Sequence, residues 1–125
     1  MFLLVSFIML FIAVSVNAGI LLDSSDTKIM LVNKWSLNDL KINGNTTDSP
    51  AYIFELKADG SYTQVDDGEV DNGTWVLSDD GKAMIFDKGT EDEETWNIIS
   101  IVPDKLVITF TDEGNKFILT FVPVK

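Results

Sequence analysis

The chain has 125 residues, no Cys and no His, and its nine basic side chains, all Lys, face twenty carboxylates for a net charge of −11. Length bounds it at one domain plus a processing segment, and the missing residue types exclude disulfides, a lipidated N-terminal Cys and most acid–base, nucleophilic and transition-metal chemistry. The acidity repels nucleic acid, whose binders need cationic contacts, and disfavours anionic membrane surfaces.

Residues 1 to 22 carry no charge, and "MFLLVSFIMLFIAVSVNA" ends in Val16-Asn17-Ala18, with small residues where a signal peptidase reads. The expectation is a signal peptide over 1–18, cleaved after Ala18, and a periplasmic or secreted product with no membrane span. A membrane anchor is the alternative, since the run approaches the ~18 to 20 residues needed to span. No Lys or Arg precedes the apolar core, where a secretory signal ordinarily has one. An exported domain without disulfides is held by its core alone.

The segment 19–30 contains "DSSDTKIM", whose capping residues precede an apolar stretch and predict a short helical turn near 25–30. The remaining chain, 31–125, reads as strands over 31–42, 51–57, 61–65, 73–78, 82–87, 94–102, 105–111 and 116–122. Each is rich in β-branched and aromatic residues and bounded by Gly, Asp, Asn or Pro. "ADGS", "DDGK" and "DEGN" are hairpin signals, and "VPDK" is a turn with Pro103 pre-setting φ. Eight strands on short connections, with no long helix to cover them, predict an all-β antiparallel up-and-down meander closed into a barrel. A flattened two-sheet sandwich is the alternative.

Alternation with period two assigns the inward faces. Tyr52, Phe54 and Leu56 share one face, as do Trp75 and Leu77, Met84 and Phe86, Leu106, Ile108 and Phe110, and Phe117, Leu119 and Phe121. Trp35 and Leu37 are in phase while Leu40 and Ile42 are not, so a bulge or bend is expected between them. "WNIISIV" is apolar on both faces, and its phase is open; the N-terminal turn is expected to cover its outer side.

The carboxylates offer little chemistry. Asp66–Asp67 and Asp79–Asp80 fall in predicted turns, where solvent keeps a carboxyl from the raised pKa that general acids need. "DDGEVDNG" places Asp67, Glu69 and Asp71 at alternate positions, as a calcium loop would. An EF-hand would need Gly at residue 72 and Glu at residue 78, where Asn72 and Ser78 stand. The segment reads as a solvated acidic turn, and so does "EDEE" at 91–94. No enzyme activity, metal or cofactor is expected.

"LVNKW", opening a long bent strand, resembles the G-x-W start of lipocalins, with Asn33 where that family usually has Gly. "FELKADGSYT", "GTWVLSDDGKAMIF" and "WNIISIVPDKLVITF" resemble more closely the small lipocalin-like domains of Bacteroidota. The resemblance spans residues 30–122 and implies an exported eight-stranded barrel. It also implies that Trp35 lies near the closed end. Many relatives carry a lipidated Cys, absent here, which implies release rather than tethering. The Arg that often stacks on the first-strand Trp has no counterpart either.

The three tryptophans pose the functional question, because an eight-stranded barrel is just wide enough for side chains to fill it. Trp35, Leu37, Leu77 and Leu119 are expected core. Phe54, Tyr62, Gln64, Trp75, Phe86, Trp96 and Phe110 are the candidate cavity walls, with Tyr62 and Gln64 supplying polar contacts. The leading expectation is a monomeric barrel that binds a small apolar or amphipathic molecule without covalent chemistry. The alternative is a filled barrel serving as a protein-interaction or inhibitor module through its acidic loops.

Overall fold

The computed structural model describes residues 24–124; the expected signal peptide at 1–18 and the segment up to residue 23 lie outside the described residues. Helix α1 spans Ser24–Leu31. Nine strands follow: β1 Lys34–Ile42, β2 Asn45–Thr47, β3 Tyr52–Leu56, β4 Ser61–Asp66, β5 Glu69–Leu77, β6 Ala83–Phe86, β7 Glu94–Val102, β8 Lys105–Asp112 and β9 Asn115–Pro123. All pairings are antiparallel; β1 joins β3, β3 to β9 follow in chain order, and β1 also pairs with β9, which closes an eight-stranded barrel of β1 and β3 to β9. Closure removes the open edges that a meander would otherwise present. The ninth strand, β2, is a short return on the far half of β1.

Three of the four two-residue loops end in glycine, at Asn43-Gly44, Asp67-Gly68 and Glu113-Gly114. Both loop residues have positive φ in all three, from 50 to 53 at the first and 82 to 88 at the glycine. That is the geometry whose twist matches a right-handed hairpin, and Asn-Gly and Asp-Gly are its preferred occupants. The Asp67-Gly68 turn corrects the reading of "DDGEVDNG" as one acidic turn. Its strand resumes at Glu69 rather than 73, so Glu69 and Asp71 stand on β5 and cannot wrap a cation together with Asp67.

The expected irregularity in the first strand is a bulge at Asn38: Leu37 pairs with Phe121, and Asp39 with Thr120. The extra residue returns Leu40 to the inward set, where it packs on the core. A second bulge, at Ile99, resolves "WNIISIV". Trp96 and Ile98 face inward before it and Ile101 after it, while Ile99 points outward and is 53% exposed. The outer side of β7 is therefore not covered as expected.

Helix α1 lies instead at one end of the barrel, with the β3–β4 and β5–β6 turns. Leu31 is fully buried in the core cluster, and its carbonyl accepts the Trp35 indole N–H at 3.0 Å. Lys28 Nζ stands 5.8 Å from the centroid of the Trp75 ring, and Trp75 Nε1 donates to the Lys57 carbonyl at 2.9 Å. Leu56, Met84, Leu106, Ile108 and Phe121 are buried in the same core. This is the closed end. The opposite end carries the β4–β5, β6–β7 and β8–β9 connections.

Candidate ligand cavity

At the open end the core does not fill the barrel. A cavity of about 330 Å³ is left between β3, β4, β6 and β7, walled by Phe54, Tyr62, Phe86 and Trp96. The rings hold one another edge-to-face: Phe86 and Trp96 have centroids 4.8 Å apart, Phe54 and Trp96 5.6 Å, Tyr62 and Phe86 5.3 Å. Such pairs prefer tilted contact because edge and face carry opposite partial charge. The walls are therefore fixed by their own packing.

A polar rim surrounds them. Tyr62 Oη donates to Asp87 Oδ2 at 2.9 Å, and the Thr74 backbone N–H donates to Asp87 Oδ1 at 3.0 Å. Trp96 Nε1 donates to Glu94 Oε2 at 2.8 Å, and Tyr52 Oη to Gln64 Oε1 at 2.7 Å. Asp71 and Asp92 complete the rim. Burial pushes the Tyr62 hydroxyl far above its ordinary range, and the hydrogen bond to Asp87 and that carboxylate's charge push it further. Burial does the same for Tyr52, with Glu94 adding to it. Both phenols thus remain neutral donors.

Gly73 makes the Tyr62–Asp87 contact possible. It sits directly across the ladder from Tyr62, and a Cβ there would stand 2.6 Å from the Tyr62 ring and collide with the Asp87 carboxylate. Only hydrogen leaves both groups in place.

A second lobe of about 350 Å³ adjoins the first and shares Tyr52, Gln64, Glu94 and Trp96 with it. It is apolar, lined by Leu37, Leu40, Pro50, Phe110, Phe117 and Leu119. Phe110 stacks on Trp96 at 5.9 Å and on Phe117 at 4.9 Å. The lobe opens where β1 and β3 part. Their ladder covers only Lys34 to Ser36, because beyond it the same edge of β1 is taken by β2.

Of the residues expected to wall a cavity, Phe54, Tyr62, Gln64, Phe86 and Trp96 meet in the first lobe, and Phe110 in the second. Trp75 does not join them. It is buried in the core at the closed end, where it also borders a separate, open cleft of about 600 Å³ with Lys28, Gly60 and Asp79, so its assignment to the same cavity is corrected. Trp35 is fully buried, Leu119 nearly so, and Leu37 and Leu77 pack on the same core. Leu37 and Leu119 also reach the apolar lobe.

Sequence reasoning missed Tyr52, Asp71, Asp87, Asp92 and Glu94. The four carboxylates of "EDEE" are exposed, as read, and two of them, Asp92 and Glu94, also border the cavity. Glu94 was legible: it lies two residues before Trp96, which puts both on one strand face. Asp87 had no such signal. It follows inward Phe86 and would alternate outward, but its φ of 52 turns the chain back over the mouth. The Asp79–Asp80 pair lies far away in the β5–β6 turn, where the Ser78 hydroxyl and the Lys82 backbone N–H hold the Asp80 carboxyl below the usual range.

No protein-family model and no functionally curated protein matches the chain by sequence. The fold is nonetheless similar to that of a lipocalin-like protein from Bacteroides uniformis, known from a crystal structure. The two share 19% identity and superpose with a TM-score of 0.57, over 76% of this chain and 99% of that one. The architecture is thus a lipocalin-like barrel.

Proposed function

We propose that this chain is an exported binding barrel that holds a small apolar or amphipathic molecule without covalent chemistry. The observation that carries the reading is the pair of adjoining cavities, of about 330 and 350 Å³, that meet at Tyr52, Gln64, Glu94 and Trp96. A concave site with apolar walls and placed polar groups is the usual form of a small-molecule site. The protein acts as a monomer after losing residues 1–18, and intact mass of the exported form would show a start at Gly19. No described helix is long and apolar enough to cross a membrane.

Tryptophan fluorescence tests the binding reading. A panel of apolar and amphipathic probes of either charge should include one that gives a saturable change, with micromolar affinity of about −8 kcal/mol for so small a pocket. Trp96→Phe should abolish the change and Trp75→Phe should leave it. If no probe in a broad panel gives a saturable response, the rings are core, and the alternative takes over: an interaction module acting through its acidic loops.

A further inference from the structure

We infer that the two lobes together select a cationic amphiphile: an ammonium group in the ring-walled lobe and an apolar body against Leu40 and Phe117. This rests on the proposed binding role and specifies its ligand class. The charged residues lining both lobes are all carboxylates among the described residues: Asp71, Asp87, Asp92 and Glu94 around the first, Asp66 and Glu94 around the second. Carboxylates alone would say little on so acidic a chain. Their placement is what matters. Asp87 accepts from the Tyr62 hydroxyl and Glu94 from the Trp96 indole N–H, which ties two of them to the ring walls, and an aromatic wall attracts a cation through the negative face of each ring.

The bonds already made leave acceptors over. A carboxylate offers about four lone-pair sites, and Asp87 uses one for Tyr62 and one for Thr74, while Glu94 uses one for Trp96. Among the described residues no group of three or more carboxylates converges as metal ligands do. The charge is spread around a volume of about 330 Å³, which suits a diffuse organic cation better than a point ion. An alkyl carboxylate would bring its head into the same ring of like charges and be rejected. The apolar lobe, contiguous through Trp96, explains why the cation should carry a tail.

Three probes of equal chain length separate the possibilities: decyltrimethylammonium, 1-decanol and decanoate, all below micelle-forming concentrations and read by Trp96 fluorescence. The ammonium should bind at least ~10-fold more tightly than the alcohol, equivalent to about 1.4 kcal/mol, and decanoate should bind most weakly. Asp71→Asn with Asp92→Asn should remove most of that preference. Asp104→Asn, the same loss of charge in the β7–β8 turn at the other end, should change nothing. Raising salt from 0.05 to 0.5 M, estimates chosen to shrink the Debye length well below ~10 Å, should weaken only the ammonium. Equal affinity for all three probes, or tighter decanoate, would overturn the cationic preference yet leave the binding role standing. An Asp104→Asn effect as large as the rim variants' would reduce the preference to general charge and overturn it too. Absence of saturable binding by any probe would overturn both readings.

Discussion

The two ends of this barrel use the same residue type in opposite ways. At the closed end the indoles of Trp35 and Trp75 donate to backbone carbonyls, of Leu31 and Lys57. At the open end Trp96 donates to a side chain, the Glu94 carboxylate. A backbone acceptor is fixed by the fold and locks its ring into the core, while a side-chain acceptor on the rim can turn toward a newcomer. Space follows the same division. Helix α1 and Leu31 plug one end, and among the described residues no helix covers the other.

If the closed end is structural, its rings should dominate stability. Trp35→Ala should destabilise by ~3 to 5 kcal/mol in denaturant unfolding, the range for deleting a buried aromatic. A loss below ~1 kcal/mol would make the two ends equivalent and break the comparison. Gly73→Ala comes next, at ~1 to 3 kcal/mol, because the added methyl must displace the Tyr62 ring and the Asp87 carboxylate. It should also disturb binding, since both groups line the cavity.

Trp96→Phe should lower stability by less than ~1.5 kcal/mol, because it keeps most of the apolar bulk, while removing the fluorescence response to bound probe. A ring whose loss is felt more in binding than in folding would mark the open end as the site. The smallest effect concerns alkali. Tyr52 and Tyr62 hold their protons above the ordinary tyrosine value, so above pH ~10 the unfolded chain releases protons that the folded one keeps. Their contribution is fully present below that pH and is lost as pH rises past it, so stability should fall. In Tyr62→Phe the fall above pH ~10 should be shallower, as measured by urea unfolding across pH.

Much of this architecture was legible in the chain because its turns and alternation are local. Period two put Trp35, Phe54 and Trp75 inside, and the phase break after Leu37 foretold the bulge at Asn38. What alternation cannot supply is height. It tells in from out, but not which end of the barrel a ring lies near. Trp75 and Trp96 both face inward, yet one lies late on β5 and the other early on β7. Both strands run from the open end to the closed end, so position within the strand separates a core ring from a cavity wall. Strand tilt adds to the problem, because residues paired across a ladder do not share a height. Asp87 was hidden for another reason: a positive φ at a non-glycine residue reverses the side that alternation assigns.

The most direct test follows the three indole N–H groups by NMR while a probe such as decyltrimethylammonium is added. Their environments differ at the start, with donors to Leu31, Lys57 and Glu94. The account predicts a saturable shift of the Trp96 resonance, with those of Trp35 and Trp75 unmoved. A shift led by Trp75, or three resonances that stay still while the probe is shown to bind, would contradict an open-end site.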